Sequence, residues 1–245
     1  MQDFFGGESP QIFAHRGLAL AAVENSLEAF RAALSAGATH VETDAHSTRD
    51  NVAILFHDEV LAERPISDYL FEELPSYVPS LQQALEAFPY ARFNIDIKSE
   101  AAITTVANTV RLLAAQDRVL ITSFSEKRRS ATVSLMPGVA SSASAQRFAV
   151  ALMAAKLGLQ PLVTWALRGL AAVQIPARAL GMNTVTRRTI AAYHRAGVRV
   201  QVWTINDPLE MRQLVSIGVD GIVTDRTDLA YAEFYGTEQS TVEGA

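Results

Sequence analysis

HVETDAHSTRDNVAILFHD, residues 40–58, reads as a strand, a tight turn and a second strand. Side chains alternate along a strand, so Glu42, Asp44 and His46 share one face. An apolar strand end seldom carries two carboxylates, because an unpaired buried charge is costly. The acids therefore either face water on an edge strand or converge on a cation. Asp50 and Asn51 suit a two-residue hairpin turn, since both tolerate positive φ. Pairing Arg49 with Val52 then sets His57 opposite Asp44, an imidazole beside two carboxylates.

The same grammar recurs outward from this stretch. LSAGATHVETD, HRAGVRVQVWTIND and VSIGVDGIVTD each run helix, glycine, short apolar strand. A glycine just past a helix supplies the left-handed residue that ends it. QIFAHR, HVETDAH, RFNIDIK, RVLITSF, RVQVWTIN and DGIVTD read as strands. GVASSASA is a weaker strand, and either AAVQI or MNTVT supplies the sixth. Helix starts are marked by Asn25 with Glu28, by Ser80 with Gln83, and by Asp207-Pro208 with Glu210.

About eight strand–helix units in 245 residues predict a closed (β/α)8 TIM barrel, a fold that typically takes ~250 residues. The expectation is one domain over 1–245, with a core of about 11–230, a hairpin after strand 2, only a short insertion, and a flexible tail over 236–245. HRG, ETD, DIK, TSF, WTIND and VTD end the apolar runs, where such a barrel builds its active site. For Thr224 and Asp225 the polar character of any loop is explanation enough. No GxGxxG or GxxxxGK[ST] is present, which weighs against dinucleotide and P-loop chemistry.

Composition narrows the class. Hydrophobic residues make up 49%, enough for a sizeable core, and the net charge of −5 gives no reason to expect nucleic acid or an anionic membrane. There is no cysteine, which excludes disulfides and thiolate metal sites. No apolar run reaches the ~18 residues of a spanning helix. The nearest, FAVALMAAKLGLQPLVTWALRGL, is broken by Lys156, Pro161 and Arg168 and reads as a buried helix and loop, with lipid contact through Trp165 the lesser expectation. With no leader visible, the expected location is cytoplasmic, and oligomeric state is left unassigned.

Oxygen-only ligands at Glu42 and Asp44 favour Mg²⁺ or Ca²⁺ over zinc. RFNIDIKS adds Asp96, with Lys98 on the same face. His15 closes the first strand, and Gly17 permits a turn that aims His15 and Arg16 into the mouth. Arg16 offers a planar fork to a phosphate oxygen, and His15 and His57 suit general acid and base. His40, His46 and His194 have no assigned role; His194 suits a helix C-terminus.

These residues resemble the glycerophosphodiester phosphodiesterase family. HRG, EN-S, GATHVETD, T-RDN, HD-VL, PSLQQAL, NIDIK, ITSFS, WTIND and GVDGIVTDR follow its order from about Ile12 to Asp228. The resemblance implies a TIM barrel that hydrolyses a small-molecule phosphodiester with one divalent cation. By matched position, His15 and His57 resemble the catalytic pair, Arg16 and Lys98 the phosphate contacts, and Glu42, Asp44 and Asp96 the metal ligands. Trp203 sits where the family often has a pocket aromatic. Val23 replaces a usual proline, Asn51 a usual glycine, and Asp96 a more usual glutamate. The short segment after His57 predicts an open mouth. Related alternatives are a sphingomyelinase D-like lyase that yields a cyclic phosphate, a Schiff-base lysine at Lys98, and a barrel that only binds phosphodiesters.

Overall fold

The structure is a computed structural model describing residues 4–7, 9–179 and 181–236. Except for Gly236, the expected tail lies outside the described residues. In chain order the strands are β1 (Gln11–His15), β2 (His40–Ser47), β3 (Ala53–Leu55), β4 (Val60–Leu61), β5 (Arg64–Pro65), β6 (Arg92–Ile97), β7 (Val119–Thr122), β8 (Ala140–Ser141), β9 (Ala172–Pro176), β10 (Arg178–Ala179), β11 (Met182–Asn183), β12 (Arg199–Trp203) and β13 (Gly221–Thr224). The helices are α1 (Leu27–Ser35), α2 (Leu81–Ala87), α3 (Glu100–Leu112), α4 (Glu126–Ser134), α5 (Ala145–Leu157), α6 (Gln160–Leu167), α7 (Arg187–Arg195), α8 (Pro208–Ser216) and α9 (Thr227–Tyr235).

Eight strands run parallel in the order β8-β7-β6-β2-β1-β13-β12-β9. A seam between β8 and β9 closes the ring. Ser142 bridges Ala172, and the Ala171 N–H donates to Ser141 O at 2.8 Å. This is the expected (β/α)8 barrel. Its sixth strand is AVQIP; Met182 and Asn183 of the rival MNTVT pair outside the barrel with β10.

Helices pack their apolar faces on the outside of the barrel. Phe30, Leu81, Phe93 and Val106 fill one side; Val163, Tyr193, Val200 and Met211 fill the other. Each large side chain so buried contributes roughly 1.5–3 kcal/mol. Phe4, Phe5 and Phe13 gather with His40 at the N-terminal end of the barrel, where the Phe13 and His40 rings stack at 4.3 Å. His40 therefore packs the end opposite the mouth.

The helix signals hold with one exception. Gly37, Gly197 and Gly218 follow α1, α7 and α8 with φ of 92°, 81° and 107°. Ser80 and Gln83 form a capping box, and Asp207 caps α8 through the Glu210 N–H. At α1 the cap is Ser26, not Asn25; the Ser26 hydroxyl accepts from the Ala29 N–H. Asn25 is turned into the left-handed region, φ 58°, and points at the barrel mouth instead.

The hairpin after strand 2 is present, but its register differs from the one expected. Ala45 pairs with Leu55 and Ser47 with Ala53, which sets Phe56, not His57, opposite Asp44. The loop has three residues, Arg49 to Asn51. Thr48 N–H donates to Val52 O, Asn51 N–H donates to Thr48 O, and Asn51 takes φ 63°. A turn followed by a left-handed residue is the usual three-residue hairpin.

Candidate active site

Strand register builds the site in layers. His15 pairs with Glu42, and Glu42 with Asn94. One step toward the mouth, Asp44 pairs with Asp96, and Asp96 with Thr122. Residues paired across parallel strands project to the same side, so the carboxylates meet inside the barrel. A cavity of about 460 Å³ opens there, lined by His15, Arg16, Glu42, Asp44, His57, Asp96, Lys98 and Trp203. All eight candidates from the sequence thus face one space. His57 reaches it from the loop after β3, its carbonyl held by His46 Nε2 at 3.2 Å.

The HRG turn follows from backbone geometry. Arg16 and Gly17 both have positive φ, and a Cβ on Gly17 would stand 2.7 Å from the Ala29 carbonyl carbon. Only glycine lets β1 turn this tightly against α1. The turn places the Arg16 N–H on Glu42 O at 2.9 Å. The Arg16 side chain spans two acids: Nη1 donates to Glu24 at 3.0 Å, and Nε lies 3.1 Å from Asp44 Oδ2 in an ion pair that is not a well-aimed hydrogen bond.

Lys98 is the hub of the acid cluster. Its Nζ lies 2.9 Å from Asp44 Oδ1 and 2.8 Å from Asp96 Oδ2. Burial alone would lower the lysine pKa, but the Asp96 and Asp44 charges outweigh it and hold Lys98 above the ordinary range. A lysine kept protonated this way is poorly suited to the Schiff-base reading. Burial pulls Asp44 upward, yet Lys98, Arg16 and the Asn25 amide at 3.1 Å leave it below the usual value. Asp96 is raised, chiefly by burial. Glu42 is pushed up to about 8 by burial and by the Asp44 charge.

Among the described residues no three His, Asp or Glu side chains stand as a preformed metal cage. Lys98 occupies the gap between two of the acids. The donor chemistry nonetheless fits a hard cation. Asp96 Oδ1 is buried with no hydrogen-bond partner, and the Glu42 carboxylate accepts from the Arg16 N–H at 3.2 Å and lies 4.0 Å from His15 Nε2. Three carboxylates facing two side-chain cations leave acid capacity unused.

Three residues of the site were not legible as functional. Asp225, at the end of β13, takes His15 Nδ1 at 2.7 Å. Asn206 donates to the other Asp225 oxygen at 2.8 Å and accepts from the Asp225 N–H. Asn25 binds Asp44 and accepts from the Thr43 hydroxyl at 2.6 Å. VTD and WTIND mark the right strand ends and EN-S the loop before the first helix, but none shows which side chain turns inward. Burial alone would lower the His15 pKa; the Asp225 hydrogen bond and the Glu42 charge outweigh it and raise it. His57 Nδ1 pairs in the same manner with Asp58, at 2.8 Å. Phe124 meets Trp203 edge-on at 6.1 Å and, with Phe148, forms an apolar wall.

The model of the glycerophosphoryl diester phosphodiesterase family matches residues 15–229. Over 230 residues the chain is 36% identical to the Mycobacterium tuberculosis protein named "Probable glycerophosphodiester phosphodiesterase 2", an alignment covering 88% of this chain and 87% of that one. A glycerophosphodiester phosphodiesterase from Agrobacterium tumefaciens superposes with a TM-score of 0.73 at 26% identity, covering 91% of this chain and 99% of that one. An Oleispira antarctica phosphodiesterase, solved with its product sn-glycerol-3-phosphate, superposes with a TM-score of 0.74 at 21% identity, covering 92% and 96%. The layered acids, the paired histidines and a family match spanning nearly the whole barrel lead to one conclusion: this chain belongs to the glycerophosphoryl diester phosphodiesterase family.

Proposed function

We propose that the protein hydrolyses glycerophosphodiesters to an alcohol and glycerol 3-phosphate by His15/His57 acid–base catalysis with one divalent cation. The observation that carries this is the single cavity in which both histidines face three carboxylates and two cationic side chains. The name of the Mycobacterium relative and the product held by the Oleispira enzyme support the substrate class.

Glu42, Asp44 and Asp96 would hold Mg²⁺ or Ca²⁺. Such an ion, when bound, neutralises charge that builds on the phosphate oxygens. Lys98 and Arg16 add fixed positive charge on the same side of the cavity. Each histidine has Nδ1 tied to a carboxylate, which leaves Nε2 for the reaction. One Nε2 takes the proton of the attacking hydroxyl, from water or the substrate's own glycerol; the other protonates the departing alkoxide.

The direct test is glycerophosphocholine turnover after chelation and after return of Mg²⁺ or Ca²⁺. Loss and recovery of glycerol 3-phosphate release is the expected result. Full activity in chelator removes the ion from the reading, and an accumulating cyclic phosphate reassigns the protein as a lyase.

Asp225→Asn tests the orientation of His15. Turnover is expected to fall roughly tenfold or more, as for a base that loses its orienting carboxylate. Asp225 helps hold the His15 pKa up, so its loss lowers that pKa. The limb of the pH–rate profile governed by His15 then moves to lower pH. Movement of the acidic limb marks His15 as base, and of the alkaline limb as acid; a profile that does not move detaches Asp225 from His15.

None of the described residues from Asp58 to Pro79 lines the cavity. That segment folds back on the hairpin, with Tyr69 O accepting from the Arg49 N–H and Asp50 accepting from the Phe71 N–H. With no roof from this side, kcat/KM is expected to differ by less than about tenfold between choline, ethanolamine and glycerol headgroups, an energy gap of ~1.4 kcal/mol. Competition assays with mixed diesters would show any stronger preference.

A further inference from the structure

The net charge of −5 hides a segregation along the chain. Residues 127–206 carry eleven of the 21 Lys and Arg and none of the 26 Asp and Glu. This acid-free stretch includes α5, α6 and α7, one sector of the barrel. The expected buried helix and loop at residues 148–167 is only half buried. Ala151, Leu152, Ala154 and Ala155 pack inward, whereas Val150, Met153, Leu157, Leu159, Leu162 and Trp165 are exposed. Trp165 shows 60% of its surface and Leu157 67%, a heavy exposure for side chains of this size.

These side chains form one surface. Val150, Met153 and Leu157 recur at helical spacing on α5, and Val150 meets Trp165 of α6 across a groove that Arg147 and Arg168 also line. Cations frame the other end. Arg188 lies beside Gly158, between Leu157 and Leu159; Arg195 holds Gln160 at 3.1 Å; Lys156 reaches the Asn183 carbonyl at 2.8 Å. Glu126 stands at the border, 3.9 Å from Arg147. Among the described residues no carboxylate pairs with Lys156, Arg168, Arg188 or Arg195.

The geometry points to the α5–α6 face as a docking surface for an anionic lipid bilayer. An apolar centre with an indole, ringed by lysine and arginine, is the chemistry that seats a protein in a headgroup layer. Apolar insertion and attraction to anionic lipid act together, and neither alone anchors stably. A second copy of this face is a poor occupant, since symmetric pairing would oppose two acid-free, cationic surfaces. The surface also adjoins the mouth. Phe148, one residue from Arg147, lines the catalytic cavity, and the Ala145 N–H holds the Phe124 carbonyl at 3.2 Å. A docked molecule would present its cavity beside the lipid surface, whatever diester it cleaves.

Vesicle co-sedimentation tests this with the intact protein. Binding to phosphatidylcholine–phosphatidylglycerol vesicles at low salt is expected to exceed that to phosphatidylcholine alone by at least about tenfold, and to fade at high salt. Leu162→Ser with Trp165→Ser, and separately Arg168→Glu with Arg188→Glu, are expected to abolish binding while glycerophosphocholine turnover and the circular dichroism spectrum stay as in the parent. The chain has two tryptophans. In Trp203→Phe the remaining Trp165 emission should shift to the blue on anionic vesicles only. Absence of binding, binding that survives both double variants, or an unshifted Trp165 overturns the inference. Self-association without lipid that Trp165→Ser removes also overturns it, and assigns the face to a second copy.

Discussion

His15→Ala is expected to lower turnover on glycerophosphocholine by at least ~10², the contribution of one positioned acid–base group, with the barrel intact. His57→Ala is expected to do the same. Both rings have Nδ1 committed to a carboxylate, so the effect arises at Nε2 and not from a lost scaffold. Removing the His15 contact with Asp225 costs about 1 kcal/mol of stability, small beside the kinetic loss. That stability cost has a pH sign. The folded His15 pKa lies above its ordinary value, so its stabilisation is fully present below the unfolded pKa of ~6.5 and is lost as pH rises through the folded pKa. Urea melts should therefore separate parent and His15→Ala more at pH 5.5 than at pH 8. Added imidazole should recover part of the turnover in either variant. Near-parental turnover in a clean preparation removes that histidine from the chemistry.

The fold was legible because its signals are local. Helix, glycine and strand recur with clear caps at α2 and α8, and a barrel is the economical way to bury eight such units. The acids were legible because two carboxylates two residues apart on an apolar strand have few uses. Contacts between distant segments were not legible. The hairpin register depended on one residue of loop length, and Asn51 entering the left-handed region shifted it by one. His57 still reached the cavity because it lies beyond the paired strand, where the loop rather than the pleat aims it. Asn25 looked like a helix cap because asparagine caps helices; its place beside Ser26 freed it to bind Asp44. Asp225 could be told from an ordinary loop acid only by its distance to His15, 210 residues away. Trp165 looked buried because its segment is apolar. Apolar composition does not reveal which helix face lacks a partner.

Lys98→Met is expected to produce the largest combined loss. Methionine preserves the stem but removes the charge between Asp44 and Asp96, which are 2% and 6% exposed. Breaking one side of a buried ion pair typically costs ~3–5 kcal/mol, because the remaining charges stay buried and unpaired. For a chain of this size that corresponds to a fall in Tm of about 6–20 °C in chelator. Arg16 remains beside Asp44, but its Nε contact is poorly aimed and its Nη1 is committed to Glu24. Turnover should fall by ~10²–10³ as well, the usual result of deleting a preorganised charge at a reacting oxyanion. The pH dependence separates this account from a packing defect. In the parent, Asp44 lies below its ordinary pKa, so its contribution is present above the unfolded pKa and is lost as pH falls through the folded one. Without Lys98 the Asp44 carboxyl should rise above its unfolded value. The penalty then holds at neutral pH and is relieved as pH falls and the acid takes up a proton. The stability gap between parent and Lys98→Met should narrow from pH 7 toward pH 4.5. Millimolar Mg²⁺ or Ca²⁺ should also narrow it at pH 7, since Asp44 and Asp96 freed of Lys98 would bind a cation more tightly than in the parent and gain more stability by mass action. A gap unchanged by pH and by cation would mean that Lys98 supports the barrel by packing alone.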